Sequence, residues 1–304
     1  MAFRIILIEN QVTMKLKLSN LVITKNGEDI WIPLSDISII ILDNLMTSLT
    51  TRILVQLAEE GIGLVICDQK HLPVGHFGAY DNHSRSTKVL GYQILQDSYF
   101  YECFWKEIVV AKIVNQAKAY IKLLQNEECY KKIIAFVEDV EEGDLTNREA
   151  HAAKVYFNSL MGTTFSRGNE SILLNSGLDY GYAIIRSYIA RCCVGYGLNT
   201  QIGIHHKNEY NRFNLVDDLM EPIRPFVDIV AYRLLKEETY FKPEHRRRLV
   251  SILNMKILYR KKKMYLCNML EKYIEQVASY IQGKSCRVVF PDIDYFIEEC
   301  EDEI

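Results

Sequence analysis

The sequence predicts an α+β fold, with a small N-terminal β-rich domain of antiparallel strands carrying one helix and a larger all-α domain behind it. Three observations carry this expectation. Over about the first 70 residues, short runs of β-prone side chains alternate with turn signals. Proline and glycine then interrupt the chain across residues 71–80. From Ser86 onward, apolar positions recur at helical spacing. The layout that follows is a β-rich domain at 1–70, a linker at 71–84 and a helical domain at 85–304.

Residues 3–9, 15–18 and 20–24 are strand-forming runs, and Asn26-Gly27 is a turn pair that accepts positive φ, so it leads as a hairpin into residues 29–34. An antiparallel meander is expected. Residues 37–42 are an uninterrupted apolar run, as a fully buried strand requires. Residues 48–60 have helical spacing that stops at Gly61, and residues 63–67 read as another buried strand. Pro73, Gly75 and Gly78 mark the linker. After it, residues 86–96, 99–124, 128–140, 148–160, 177–195 and 215–236 all carry helical periodicity. There is no internal repeat and no low-complexity tract.

A chain of 304 residues with 49% hydrophobic content can bury a large core. No run approaches the roughly 18 apolar residues of a membrane span, and the start meets Glu9 too soon for a signal peptide, so a cytoplasmic protein is expected. The eight cysteines, Cys67, Cys103, Cys129, Cys192, Cys193, Cys267, Cys286 and Cys300, form no CxxC pair and read as reduced core thiols. A net charge of −3 does not favour nucleic acid, yet it averages over uneven segments. Acid gathers at residues 138–144 and 298–303, and base gathers at 245–248 and 260–263.

Two segments, residues 147–157 and 203–225, put acids and histidine into sequence that otherwise reads as packed helix. On an ideal helix Glu149, Ala153, Tyr156 and Leu160 share one stripe while Arg148 and Lys154 point away. Asn147 is placed as an N-cap, and Glu149 in the first turn gains about 0.3–1 kcal/mol from the macrodipole, which alone would account for it. Asn214 is placed to cap a helix beginning at Leu215, so that Asp218 and Glu221 lie on one face and address one point. Pro222 and Pro225 end or kink that helix near Glu221. His205 and His206 precede it in a loop, where neighbours point opposite ways, so one of them can join the acids. Taken singly, each histidine also reads as a hydrogen-bonded packing residue, and Arg224 reads as an ion-pair partner of Glu221. A carboxylate facing an apolar interior costs several kcal/mol, roughly, unless it is paired or bound to a cation. One imidazole with two carboxylates is a mixed donor set that suits Mg2+ or Mn2+ better than structural zinc, and its chemistry is phosphodiester transfer.

The order Asn147-Arg-Glu149 with Tyr156-Phe157, then Leu178-Asp-Tyr-Gly-Tyr182, then Gly203-Ile-His-His206, then the run from Phe213 to Asp228 resembles the CRISPR adaptation integrase. This is the first of the CRISPR-associated proteins, and the likeness is to its type II form. With the β-rich start and the linker it spans nearly the whole chain. The resemblance implies that Glu149, His206 and Glu221 are the catalytic residues and hold Mg2+ or Mn2+, with Asp218 as an auxiliary acid orienting them. His206 matches the last position of the family's Gly-x-x-His pattern; a loop shifted by one residue would put His205 there instead.

The resemblance also implies an enzyme that joins the 3′-hydroxyl ends of short foreign DNA to the CRISPR repeat by transesterification, without a covalent intermediate, and that cuts DNA as an endonuclease. Its implied partners are double-stranded DNA, as prespacer and repeat, and a second copy in a homodimer. The second CRISPR-associated protein would bridge two dimers, with further adaptation proteins and the effector nuclease beyond them. Arg85 and the cluster Arg246, Arg247 and Arg248 would hold phosphates, as guanidinium geometry favours. Two rivals use the same residues: a metal-dependent phosphodiester hydrolase that never joins strands, and a non-catalytic DNA-binding scaffold whose buried acids are only hydrogen-bonded.

Overall fold

In the computed structural model, which describes residues 4–79, 83–169 and 172–297, the chain opens with eight strands and one helix. These are β1 (Arg4–Ile8), β2 (Thr13–Lys17), β3 (Asn20–Lys25), β4 (Glu28–Pro33), β5 (Ile37–Leu42), β6 (Ser48–Leu49), α1 (Thr51–Glu59), β7 (Gly63–Cys67) and β8 (Pro73–Phe77). Asn26 (φ 52°) and Gly27 (φ 88°) turn β3 into β4 and pair Lys25 with Glu28, as the sequence predicts. The antiparallel meander holds for β2, β3 and β4, and β6 joins its edge parallel to β2.

The second sheet differs from the expected meander: its order is β1-β5-β7-β8, and β1, β5 and β7 run parallel. The reason lies in β5, all six of whose residues are buried. A strand covered on both faces accepts parallel neighbours through crossovers, here β2–β4 between β1 and β5 and α1 between β5 and β7. Ile39 and Ile41 pack into the helical core, whereas Ile40 and Leu42 pack with Met14, Leu21 and Ile23 of the other sheet. The expected linker is also partly regular: β8 pairs antiparallel with β7 as an edge strand, where Pro73 at its first position costs no ladder bond. Residues 80–82 of that linker lie outside the described residues.

The remainder is mostly helical: α2 (Ser86–Leu95), α3 (Ser98–Leu124), α4 (Glu127–Ile134), α5 (Arg148–Met161), α6 (Leu173–Gly195), α7 (Asn214–Met220), α8 (Arg224–Leu235) and α9 (Pro243–Ser251). Strands β9 (Lys256–Tyr259) and β10 (Lys262–Tyr265), helix α10 (Leu266–Ile281) and strand β11 (Phe296–Ile297) follow. The expectation of an all-α second part is therefore corrected by a three-stranded antiparallel sheet, β10-β9-β11. Its hairpin turn is Arg260-Lys261, both at positive φ, so half of the basic run at 260–263 is a turn tip. The acidic run 298–303 lies outside the described residues. Helices α6 and α8 cross closely at Gly181, where a Cβ would come within 2.5 Å of Val227 Cγ1. That approach, with α3 packed between α5 and α8, brings the two acid-bearing segments together.

Candidate metal centre

Asp218 is the anchor of the histidine loop. Its fully buried carboxylate accepts the backbone N–H groups of Ile204 (2.6 Å), His205 (3.0 Å) and His206 (3.2 Å) and meets His206 Nδ1 at 2.5 Å. Four donors on one carboxylate offset a desolvation that would otherwise cost several kcal/mol, roughly. The loop closes this tightly because residue 203 is glycine: a Cβ there would lie 2.2 Å from the His206 carbonyl oxygen and 2.9 Å from Asp218 Oδ2. With Nδ1 held by a carboxylate, His206 presents Nε2 as the nitrogen for any further group. The Asp218 hydrogen bond holds the His206 imidazole above histidine's ordinary pKa; burial opposes this, and the charges of Asp218, Glu221 and Asp217 reinforce it. His205 is engaged differently, its ring stacked on Trp105 at 4.4 Å between centroids and 6° between planes.

Glu149 is held at the start of α5, but not by the cap the sequence suggests. Asn147 sits at positive φ and its side chain caps nothing; Asp144 instead accepts the N–H groups of Arg148 (2.8 Å) and Glu149 (3.0 Å). Asn214 likewise lies inside α7, its amide donating to the carbonyls of Gln201 and Asn208. Glu221 opens the short 3-10 turn after α7, and its Oε1 accepts from Arg224 Nε at 2.7 Å, the ion pair the spacing predicts. The Lys112 ammonium of α3 contacts both Glu149 Oε1 and Glu221 Oε2, so two acids 72 positions apart share one cation. Burial lifts the Glu221 carboxyl, but Arg224 and Lys112 outweigh it and hold the group well below the usual carboxylate range. Burial lowers Lys112, and the two carboxylates more than restore it.

Beside this group lies an open cavity of about 420 Å³ whose lining includes Lys112, Lys154, Phe157, Arg167, Tyr182 and Arg224. The guanidinium of Arg224 lies over the Tyr182 ring at 4.6 Å, and the Tyr182 hydroxyl donates to the buried carboxylate of Asp228. Burial pushes Asp228 up to about 6, against the lowering effect of that hydrogen bond and of Arg167 and Arg224.

Not every expectation about placement holds. Asp218 and Glu221 do not address one point: Asp218 turns to the 204–206 loop and Glu221 to Lys112 and Arg224, because α7 ends at Met220 and the tighter turn rotates the next side chain away. Among the described residues, no group of three or more His, Cys, Asp and Glu side chains closes around a common point. Of the basic residues, Arg85 is exposed at the start of α2. Arg246, expected on phosphate, is instead buried against Asp43 of the N-terminal part (3.0 Å), which also contacts His71 (2.8 Å). Arg247 pairs with Glu9 and Glu244, and Arg248 is half-buried. Sequence reasoning misses Lys112 and Asp144. The signal for Lys112 was a lone cation in the apolar run 108–114, and for Asp144 an acid just ahead of a helix start.

Two carboxylates from separate elements converge on Lys112, and a third clamps the histidine loop. The family model described as "CRISPR associated protein Cas1" matches residues 5–264. The chain belongs to the Cas1 family. It is 32% identical over 290 residues, 94% of this chain and 95% of the other, to the CRISPR-associated endonuclease Cas1 of Neisseria meningitidis serogroup C. Cas1 is a family of CRISPR-associated endonucleases, and this chain is an enzyme of that family. Among solved structures, a casposase bound to integration product superposes with a TM-score of 0.76 at 20% identity, covering 99% of this chain and 96% of that one. A chain of a Cas6-RT-Cas1–Cas2 complex superposes at 0.71 with 19% identity, over 93% of this chain and 35% of that one. These likenesses establish the Cas1 fold: a β-rich N-terminal part followed by a mostly helical one. No helix among the described residues is long and apolar enough to cross a membrane.

Proposed function

We propose that this chain is the metal-dependent DNA integrase of a CRISPR adaptation system, of the type II form, joining the 3′-hydroxyl ends of short foreign duplexes to the CRISPR repeat and also cutting DNA. The observation that carries the reading is that Glu149 and Glu221, from separate elements, already meet on one cation. The donor set fits a divalent ion: two carboxylates that tolerate a shared positive charge, and an imidazole whose other nitrogen is fixed by Asp218, the carboxylate–histidine pairing common at metal ligands. Glu149, His206 and Glu221 are the proposed ligands of Mg2+ or Mn2+, and His206 is preferred to His205 because the latter is stacked on Trp105. When bound, the ion polarises a phosphoryl oxygen and lowers the pKa of the attacking hydroxyl. The chain's own side chains do the rest. Asp218 orients His206, Arg224 keeps Glu221 ionised, and Lys154 and Arg167 in the adjoining cavity offer positive charge to a phosphodiester.

Arg85 is the proposed outer phosphate contact, with Arg247 and Arg248 as lesser ones. Proposed partners are double-stranded DNA, a second copy of the chain, the second CRISPR-associated protein bridging two such dimers, and further adaptation proteins with the effector nuclease, in the cytoplasm. Three structural neighbours support this: one is bound to an integration product, one belongs to a Cas6-RT-Cas1–Cas2 complex and one is a Cas1–DNA complex. The type II form rests on the order and spacing of the motifs alone.

The test is product analysis. Purified protein with its partner, a 3′-hydroxyl duplex, a repeat-bearing plasmid and Mn2+ is expected to yield joined strands, and Glu149→Ala and His206→Ala are each expected to abolish joining while DNA capture persists. Cleavage without joining under every condition would favour the hydrolase, DNA capture with neither cleavage nor joining would favour the scaffold, and joining that survives both substitutions or excess EDTA would overturn the metal centre.

A further inference from the structure

Lys112 is the least expected member of the centre. It stands in α3, a single ammonium in an apolar stretch, almost fully buried, and it belongs to neither acid-bearing segment. Its contacts are divided between Glu149 Oε1 and Glu221 Oε2, while Arg224 takes the remaining oxygen of Glu221. Charge within this group is therefore already balanced, two carboxylates against an ammonium and a guanidinium. A divalent cation gripped by the same two carboxylates brings two further positive charges to the point that Lys112 Nζ holds. An ion bonded at about 2.1 Å to the oxygens that Lys112 contacts would stand close beside its ammonium, and two cations so placed repel strongly in a buried site.

We propose that Lys112 is an internal counter-ion that closes the Glu149–Glu221 pair in the metal-free protein and must leave it for a divalent ion to bind, so that it sets both the stability of the empty centre and its metal affinity. This inference rests on the proposed metal centre and concerns a residue outside its ligand set. The way out is built in, because Lys112 itself lines the adjoining cavity together with Gln116, Lys154 and Arg167. From there the released ammonium faces the same space as the other cations, where a DNA phosphate would balance it. Lys112 is thus a positioning residue: without it the two acids face one another with Arg224 alone to offset them, and with it the ion has a competitor.

The experiment uses the full chain as wild type, Lys112→Met and Lys112→Gln, with two readouts that need no turnover: the melting temperature without metal, and Mn2+ affinity from the free-ion electron paramagnetic resonance signal. Both variants are expected to melt lower than wild type without metal, to bind Mn2+ about tenfold more tightly, and to gain more in melting temperature from added Mn2+ than wild type does. If Lys112→Met does not fold, Lys112→Gln, which is shorter but keeps a donor, carries the test. Should the wild type bind Mn2+ while the variants bind it equally or more weakly, the counter-ion role is wrong and the metal centre stands. Should neither wild type nor variants bind Mn2+ at all, both readings fall.

Discussion

At the scale of single residues, the buried acids fall into two kinds with opposite consequences. Asp218 is satisfied by four donors, so replacing its charge with the amide in Asp218→Asn is expected to cost roughly 3 kcal/mol of stability and to bring the His206 pKa down toward its ordinary value, read by imidazole NMR titration. An unchanged His206 titration would show that Asp218 does not hold the ring. Asp228 is the other kind. Its folded pKa of about 6 lies above the value of an unfolded aspartate, so its contribution favours the folded state fully only below about pH 4 and is lost as pH rises through 6. The difference in unfolding free energy between wild type and Asp228→Asn is therefore expected to shift by roughly 2 kcal/mol between pH 4 and pH 7, with the variant relatively better off at pH 7. Urea denaturation at several pH values measures it, and a pH-independent difference would contradict the assignment.

At the scale of elements, the start of α5 determines where Glu149 points. Asp144→Ala is expected to lose about 1–2 kcal/mol and to weaken strand joining through a misplaced Glu149, while Asn147→Gly, which keeps the positive φ, stays within about 0.5 kcal/mol of wild type. Equal losses in both would restore Asn147 as the cap. The helix itself was legible because its apolar stripe repeats over the 14 residues of α5. The cap was not, since Asp144 reaches forward from a turn that runs through Gly143 and Asp144 at positive φ, and such a turn leaves no periodic trace. Lys112 was illegible for a related reason. One of four lysines in a 27-residue helix is compatible with a surface position, and the tertiary crossing of α3 with α5 and the turn after α7 places its ammonium between two carboxylates. Residues 37–42 disclosed burial on both faces but not the direction of neighbouring strands, which depends on connections far longer than any local pattern.

At the scale of the whole molecule, the two parts are joined by an ion pair that the sequence offered as a DNA contact. Arg246 in α9 reaches Asp43 just beyond β5, and both side chains are nearly or wholly buried. A guanidinium so placed stabilises the junction, and the proposed phosphate contacts fall to exposed residues such as Arg85. The two arginines should therefore separate in one pair of measurements. Arg246→Ala strands the Asp43 carboxylate with only His71 beside it and is expected to cost about 3 kcal/mol, with the salt dependence of duplex binding unchanged in the fraction that remains folded. Arg85→Ala is expected to leave the melting temperature where it was and to lower the slope of log affinity against log salt by about 1, as one lost phosphate contact requires. The reverse pattern, a stable Arg246→Ala protein with a flattened salt dependence, would mean that α9 turns outward when DNA binds and that the junction opens during function.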